Sequence, residues 1–283
     1  MAQVNLRATE LTPTLGAIVH DLDLSAQLTA SDVSEIRKLL LKHRVIFFEN
    51  QHLTPQAQRD FAARFGELYI HPVYPNVPDV PEIVILDNHP GNPTDNDSWH
   101  TDLTFTPNPV MAAILYAKHL PPNGGDTIWS DMRAAYLGLS APVREFFSGL
   151  SAVHDFNRGF PSDILPSKNA GERYFQARIA YPPVTHPVIR THPETGEECL
   201  FVNDGFTTHI VGLSRFESDR LLAILDQHIQ RPEFTVRWKW KPNSVAFWDN
   251  RLTQHYAVND YFPHRRVMHR ATIIGDRPYY KPR

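Results

Sequence analysis

The stretch Trp99-His100-Thr101-Asp102 places the strongest constraint on how this chain folds. Residues two apart on an extended segment project to the same side, so His100 and Asp102 can bind one metal ion together. A third protein ligand then has to come from a distant part of the chain. By itself a His-x-Asp triplet also arises by chance in a solvated loop, so its meaning depends on that partner segment.

The candidate for the third ligand is His255, in the segment Trp248–Tyr256. Two histidines and a carboxylate on one face of Fe(II) leave three positions open for a chelating co-substrate and dioxygen. Zinc would fit the same three ligands, but a single cysteine in the whole chain excludes a thiolate cluster. Arg266 follows at a spacing that lets the next strand return beside His255, and its guanidinium suits a flat carboxylate such as that of a 2-oxoacid. The alternative is a surface position for Arg266 in the basic pair Arg265-Arg266.

With these motifs the chain resembles the Fe(II)/2-oxoglutarate-dependent dioxygenases, and within them the taurine dioxygenase group. The similarity extends from about Gly16 to Pro278. It is carried in order by the blocks Arg64-Phe65-Gly66-Glu67-Leu68, Ile70-His71-Pro72-Val73-Tyr74-Pro75, Trp99-His100-Thr101-Asp102, Gly124-Gly125-Asp126-Thr127, Asn203-Asp204-Gly205-Phe206-Thr207-Thr208, Trp248-Asp249-Asn250-Arg251 and Met268-His269-Arg270-Ala271-Thr272.

The resemblance implies a role for each residue of the metal site. His100, Asp102 and His255 would be the catalytic metal ligands. Arg266 would bind the distal carboxylate of 2-oxoglutarate, with the hydroxyl of Thr127 as a second donor, while the proximal carboxylate and the keto oxygen chelate the iron. A threonine at the start of a strand is also common because of β-propensity alone, so Thr127 keeps a structural alternative.

The resemblance assigns Arg270 and His71 to a substrate sulfonate. Arginine supplies charge and directed donors to this tetrahedral anion, and a histidine adds a hydrogen bond, particularly when it is protonated. Arg270 lies four residues after Arg266. Even spacing on a strand puts both side chains on one face, so we expect both arginines to line one pocket.

Four further residues are expected around the rest of the substrate. Tyr74 and Asn96 resemble the residues around the amine end of taurine, and Phe160 and Phe206 resemble apolar walls beside its carbons. The segment Asn157-Arg158-Gly159 departs from the family pattern, which weakens the assignment of Phe160. An aromatic residue is also more often part of a core than of a pocket.

The implied activity is hydroxylation of taurine at the sulfonate-bearing carbon, coupled to decarboxylation of 2-oxoglutarate to succinate and CO2. The product would break down to sulfite and aminoacetaldehyde, which predicts a use in sulfur acquisition. Fe(II) would be the cofactor, with 2-oxoglutarate and dioxygen as co-substrates. The nearest alternative is a relative acting on an alkyl sulfate ester or another anion such as an aryloxyacetate. A more distant alternative is a non-catalytic barrel that serves as a binding protein or sensor.

The composition is that of a globular protein, with 42% apolar and 21% charged residues in a chain of 283. A formal net charge of −3 offers no basic surface for nucleic acid or an anionic membrane. No stretch approaches the roughly 18 apolar residues of a membrane helix, and Met1–Arg7 lacks the pattern of a signal peptide. We therefore expect a soluble, cytoplasmic protein with a single domain over 1–283 and a small-molecule substrate, assembled as a homo-oligomer, either a dimer or a tetramer.

Helices are predicted from caps followed by apolar residues at helical spacing, beginning at Thr29, Thr54, Ser140 and Ser214. Many short β-type runs lie between them, at 45–48, 83–86, 110–117, 127–129, 184–190, 199–202, 234–240, 245–248 and 267–274. This pattern predicts a mainly β fold with flanking helices, and the resemblance implies a double-stranded β-helix, or jelly roll. The polar segment 158–183 has no clear period, so we predict a lid-like insertion there, with a disordered excursion as the alternative.

Overall fold

The computed structural model describes residues 6–72, 74–93, 97–160 and 168–282. The largest sheet among them crosses the molecule in the order β1 (Ala8–Glu10), β2 (Ala17–Val19), β3 (Val45–Phe48), β14 (Val245–Asp249), β6 (Ala112–His119), β16 (Arg266–Ile273), β5 (Val80–Asn88) and β4 (Asn76–Val77). Its neighbours pair antiparallel, except that β2 and β3 are parallel. The strand that carries both predicted binding arginines, β16, therefore lies inside this sheet between β6 and β5.

Three smaller sheets complete the β structure of the described residues. They are β13 (Thr235–Trp238), β7 (Thr127–Asp131) and β15 (Thr253–Ala257); β12 (Thr207–Ile210), β8 (Ser151–His154) and β9 (Val184–Pro187); and β10 (Ile189–Thr191) with β11 (Glu198–Leu200).

A shared apolar core joins the large sheet to the sheet of β13, β7 and β15. Trp129 of β7 packs edge-on against Trp248 of β14, with ring centroids 5.6 Å apart, and Phe47 of β3 stacks on Trp238 of β13 at 4.1 Å. All four rings are buried in one cluster. Because two antiparallel sheets enclose this core face to face, the predicted mainly β jelly roll is confirmed.

Helices cover the outside of the β core, as predicted. Ile36, Leu40 and Phe61 pack with Phe48 and Phe247 on one sheet face, where each fully buried side chain of this size contributes about 1.5 to 3 kcal/mol. No helix in the described part of the chain is long and apolar enough to cross a membrane. The helices are α1 (Ala30–His43), α2 (Pro55–Ala63), α3 (Met132–Gly138), α4 (Ala141–Phe147), α5 (Phe156–Gly159), α6 (Lys168–Ala180) and α7 (Arg215–Ile229), with a short 3-10 turn at Pro232–Phe234.

The capping signals located α1, α2, α4 and α7. Thr29 and Asp32 form a capping box on α1, and Ser214 and Glu217 form another on α7. Each box satisfies N–H groups that the first helical turn leaves without partners. Helix α3 was not predicted, because its cap is Asp131, the last residue of strand β7.

Strands β1, β2, β4, β8, β12 and β15 lie outside the predicted β-type runs, and two of the predicted segments differ from the expectation. The predicted strand 184–190 is two strands, β9 and β10. The segment 158–183 contains helix α6, whose Phe175 and Ile179 are 57% and 64% exposed while Ala177 is buried. Such a helix shows no continuous apolar stripe in its sequence, which explains why periodicity did not reveal it. Residues 161–167 lie outside the described residues, and the lid-like insertion stays a prediction, as does the single domain.

The turn between β14 and β15 contains a fully buried charge. Asp249 accepts two hydrogen bonds from Arg251, at 2.9 and 2.6 Å, and one from His192 Nε2 at 3.1 Å. Arg251 also pairs with Glu194 at 2.7 Å. Burial alone would raise the pKa of Asp249, but the charge and hydrogen bonds of Arg251 outweigh it and lower that pKa. The carboxylate is therefore ionised in the folded protein and sits in a fixed network.

We predict that Asp249→Asn lowers the free energy of unfolding by about 3 kcal/mol, since breaking a buried ion pair leaves the partner charge uncompensated. The native carboxylate stabilises the fold above roughly pH 4, the unfolded pKa of Asp, and this contribution is lost as the pH falls further. Urea denaturation followed by circular dichroism at pH 7 measures the effect.

The matched control is Asp219→Asn, which removes an exposed pair with Arg215 on α7. Exposed pairs contribute about 0 to 1 kcal/mol, so this variant should unfold close to the wild type. Equal losses in the two variants would show that the buried Asp249 network does not stabilise the turn.

Candidate functional site

The three predicted metal ligands meet although they are far apart in the sequence. His100 and His255 exchange backbone hydrogen bonds, His100 N to His255 O at 3.0 Å and His255 N to His100 O at 2.8 Å. Asp102 follows in the turn after this bridge. One ligand atom from each residue lies within 4.8 Å of the other two, and all three residues are buried. The arrangement therefore has the size and donor set of a metal centre.

The hydrogen bonds of these residues leave ligand atoms facing inward. His100 Nδ1 donates to the carbonyl of Ser98 at 2.8 Å, which keeps its proton on Nδ1 and leaves Nε2 as a lone-pair donor. His100 Nε2, Asp102 Oδ2 and His255 Nδ1 are buried and have no hydrogen-bond partner among the described residues. Unpartnered buried acceptors are costly in a native fold, and a bound cation would satisfy them. Two imidazoles and a carboxylate suit Fe(II).

The ionisation states also suit a metal. Burial would raise the pKa of Asp102, but Arg270 and the neighbouring histidines overcome this and lower it. Burial, reinforced by His100, lowers the pKa of His255 to about 3. At neutral pH the carboxylate is therefore charged and His255 is neutral, which are the forms that bind metal ions.

Asn250 holds the segment that carries Asp102. Its side-chain oxygen accepts from Asp102 N at 3.0 Å, and its amide donates to the carbonyls of Asp102 at 3.0 Å and Val110 at 3.1 Å. Thr101 adds a hydrogen bond to the carbonyl of Thr253 at 3.0 Å. Sequence reasoning did not assign Asn250 a role. The available signal was its place beside Asp249 in the block that precedes His255.

A cavity extends from the ligands towards the two predicted binding arginines. It is lined by Leu86, Asn88, His100, Leu115, Thr127, Trp248, His255, Ala257, Arg266 and Arg270. Both arginines of β16 are buried. The expectation that even spacing directs them into one pocket is therefore met.

Arg266 lines this cavity and has donors to spare. Its Nε donates to Gly125 O at 3.0 Å, and one terminal nitrogen is buried without a partner among the described residues. Burial lowers the pKa of Arg266 to about 10, so it stays charged at neutral pH. Gly125 has a φ of 70°, and a Cβ there would lie 3.0 Å from Arg266 Cδ, so the close approach favours glycine.

Thr127 lies beside Arg266 in the same lining. Its hydroxyl accepts a hydrogen bond from Trp240 Nε1 at 3.0 Å. An indole N–H can only donate, so the hydroxyl proton of Thr127 stays available for a ligand. Arg266 and Thr127 together can therefore offer several donors to one carboxylate.

Of the predicted substrate residues that the structure describes, Arg270 lines the cavity, and the others form a connected group that reaches Arg270 through Tyr74. The Arg270 guanidinium lies 5.9 Å from the centre of the Tyr74 ring, and the Tyr74 and His71 rings are 4.6 Å apart. Phe160 lies 6.4 Å from Tyr74 and 6.1 Å from Phe206. Asn96 lies outside the described residues, so its role stays a prediction.

His71 differs from the expectation that it binds an anion best as a cation. Burial, together with the charge of Arg270, lowers the pKa of His71 to about 3. Its Nδ1 accepts a hydrogen bond from Tyr74 N at 3.2 Å, which places the ring proton on Nε2. His71 is therefore a neutral donor at physiological pH, and the positive charge beside it belongs to Arg270.

The loop that carries Phe206 is fastened to the metal-ligand segment at two points. Gly205 N donates to Trp99 O at 3.1 Å, and Asn203 Nδ2 donates to Thr104 Oγ1 at 3.1 Å. A Cβ at Gly205 would lie 2.8 Å from His100 Cβ, so only glycine lets the loop come this close. The Phe206 ring consequently lies 6.4 Å from the His100 ring, edge-on.

Comparisons with known proteins agree with this geometry. The family model described as taurine catabolism dioxygenase TauD, TfdA family, matches residues 7–272. An alpha-ketoglutarate-dependent sulfate ester dioxygenase of Pseudomonas putida is 40% identical over 93% of this chain and 88% of its own length. An alkylsulfatase of Acinetobacter baylyi is 38% identical over 96% of this chain and 86% of its own length.

A solved structure resembles the whole fold. The crystal structure of a taurine dioxygenase from Burkholderia xenovorans superposes with a TM-score of 0.84 and 40% identity, and the match covers 97% of this chain and 91% of that one. The chain therefore belongs to the TauD/TfdA family and is an α-ketoglutarate-dependent dioxygenase, a class that uses Fe(II), 2-oxoglutarate and dioxygen.

Proposed function

We propose that this dioxygenase hydroxylates the carbon that bears a sulfonate or sulfate ester group. The observation that carries the proposal is the cavity itself, in which the ligands His100 and His255 share one lining with two buried arginines. The third ligand, Asp102, has a carboxylate oxygen within 4.8 Å of the ligand atoms of both histidines. Two buried cations with donors to spare suit two anions. One would be the dicarboxylate co-substrate, and the other would be the substrate.

In this proposal His100, Asp102 and His255 hold Fe(II), which with 2-oxoglutarate supplies the activation of dioxygen. Arg266 and Thr127 bind the distal carboxylate of 2-oxoglutarate, through the guanidinium donors and the free hydroxyl proton. Their task is to orient the co-substrate so that its other end reaches the metal ligands. Trp240, which donates to Thr127, fixes the rotamer of that hydroxyl.

At the substrate end, Arg270 supplies the charge and His71 a neutral hydrogen-bond donor for the tetrahedral anion. Phe160 and Phe206 exclude water and hold the neighbouring carbons. One oxygen atom of O2 enters the substrate C–H bond and the other enters succinate, as 2-oxoglutarate loses CO2. The hydroxylated carbon then expels sulfite from a sulfonate, or sulfate from a sulfate ester, and an aldehyde remains.

Two substrates fit this description, taurine and a linear alkyl sulfate. Taurine gives sulfite and aminoacetaldehyde, in line with sulfur acquisition, but the ammonium group needs polar partners such as Asn96, which lies outside the described residues. The described side chains that pack with Phe160 and Phe206 form an apolar cluster that includes Phe105, Phe156 and Leu103. This apolar surface favours an alkyl chain. Sequence identity does not separate the two substrates, because relatives named for sulfate esters and a structure named for taurine share about 40% of the sequence alike. We therefore propose both, with the alkyl sulfate preferred.

We predict that Asp102→Ala abolishes turnover and weakens Mn²⁺ binding at least about tenfold, a loss no smaller than that seen at other metal sites when a residue hydrogen-bonded to a ligand is changed. Two histidines alone leave the cation without its charged ligand. Titration calorimetry with Mn²⁺ and succinate formation with Fe(II) measure the two effects. Asp219→Ala, on the surface of α7, is the control. Native Mn²⁺ affinity in Asp102→Ala would remove this carboxylate from the metal site.

We predict that Arg266→Gln weakens 2-oxoglutarate binding by about 1.5 to 3 kcal/mol, roughly a 10- to 150-fold change, because a charge-assisted contact is lost. The KM for the sulfonate or sulfate substrate should change far less. Arg265→Gln removes the neighbouring charge, which pairs with Asp87 on the surface, and should behave as the wild type. Equal effects on both substrates of the reaction would make Arg266 a structural residue.

The substrate class is tested with a panel of taurine, a longer aminosulfonate, hexyl sulfate and an aryloxyacetate. We predict the highest kcat/KM for hexyl sulfate, measurable activity with taurine, and succinate formed in equal amount to released sulfate or sulfite. Succinate, sulfate and sulfite are each quantified by chromatography. Turnover with the aryloxyacetate alone would refute the proposal while leaving the dioxygenase class intact.

A further inference from the structure

Arg270, which the proposed function assigns to the substrate anion, also contacts a proposed metal ligand. Its terminal nitrogen Nη1 lies 3.1 Å from Asp102 Oδ1. Both side chains are 7% exposed, so water screens the pair little. The same guanidinium lines the cavity and lies over the Tyr74 ring. One cation therefore faces the metal ligand and the substrate space together.

The remaining donors and acceptors of the pair point to two further partners. A guanidinium has five N–H donors. Arg270 Nε is buried and has no partner among the described residues, while Nη1 is taken by Asp102. On the other side Asp102 Oδ1 is occupied and Oδ2 is buried without a described partner. The pair thus offers an unused donor to an anion and an unused oxygen to a cation.

We propose that this shared guanidinium–carboxylate pair couples the two sites, so that the substrate anion and the metal ion bind with positive cooperativity. When Arg270 faces only Asp102, it draws the carboxylate's charge away from the metal and repels a divalent cation. An anion bound to Arg270 neutralises this effect, and Asp102 becomes the stronger ligand. The proposal rests on the proposed function, because it takes Arg270 as the residue that binds the substrate anion.

The charges around the Arg270–Asp102 pair decide whether the coupling is positive or negative. The other titratable groups that act on Asp102 are His71, His100 and His255. Burial lowers the pKa of His71 and His255 to about 3, so at neutral pH these two add no positive charge. Arg270 is the arginine in contact with Asp102. When an anion neutralises Arg270, the positive charge that opposes metal binding at Asp102 becomes smaller.

Linkage requires the effect to be reciprocal. If the anion tightens metal binding by some factor, the metal tightens anion binding by the same factor. Couplings between neighbouring sites are typically about 5- to 150-fold. A cell containing substrate would then load the enzyme with metal at lower free metal concentrations than a cell without it.

The test uses titration calorimetry on the metal-free full-length protein, without 2-oxoglutarate. Mn²⁺ is titrated with and without saturating hexyl sulfate or taurine, at ionic strength matched with NaCl, and the anion is titrated with and without Mn²⁺. We expect the Kd for Mn²⁺ to fall at least about fivefold with the anion, and the Kd for the anion to fall by the same factor with Mn²⁺. In Arg270→Gln the factor should drop below about two, whereas Arg265→Gln should retain it.

Several outcomes would overturn the inference. If an anion binds but leaves the Mn²⁺ affinity unchanged, the coupling is refuted and the proposed substrate class stands. If Arg270→Gln keeps the full factor, the anion acts by ligating the metal directly, which also refutes the role of Arg270. If neither anion binds with or without Mn²⁺, the proposed substrate class and the coupling fall together. The two wild-type titrations decide the matter even if Arg270→Gln does not fold.

Discussion

The site depends on the two backbone hydrogen bonds that join His100 to His255. These bonds attach a segment with little regular structure to β15, a strand in the sheet of β13, β7 and β15. The segment then needs further anchors to hold Asp102 in register. Asn250 provides them on one side, and Thr104 with Asn203 provides them on the other. The ligands of this metal centre are far apart in the sequence, so its geometry depends on how precisely the flanking sheets are positioned.

Burying the positive charges of Arg266 and Arg270 costs free energy, and the fold offsets part of this cost by placing an acceptor beside each guanidinium. Arg266 and Arg270 are both buried, and each has a buried nitrogen without a partner among the described residues. A fully desolvated charge is tolerated only when it is paired or when ligands complete its shell. Gly125 brings a carbonyl to Arg266, and Asp102 faces Arg270. In the proposed function, the unpartnered nitrogen of each guanidinium is the donor left for an anion.

Much of the fold and of the candidate site could be predicted from the sequence. The spacing of His100 and Asp102 and the resemblance to the dioxygenase family pointed to the metal ligands. The same resemblance assigned Arg266 and Arg270, for which strand alternation predicted a common face. Asn250, α3 and the contact between Arg270 and Asp102 were not found. Asn250 acts on the Asp102 backbone, which lies just over half the chain length away in the sequence. Asp131 is both the last residue of a strand and the cap of a helix, and the contact between Arg270 and Asp102 joins β16 to a turn. The neutral state of His71 also depends on burial, which no sequence motif reports.

The attachment of the Phe206 loop divides the proposed substrate wall of Phe160 and Phe206 into two parts with different freedom to evolve. Gly205 and Asn203 tie Phe206 to the residues on either side of the metal ligands, so a new side chain there disturbs the metal centre along with the pocket. Phe160 follows helix α5 and is tied to that segment instead. Substitutions that change the substrate size among relatives of this chain should therefore occur mainly near Phe160. Substitutions near Phe206 should be fewer, because they would also disturb the metal centre.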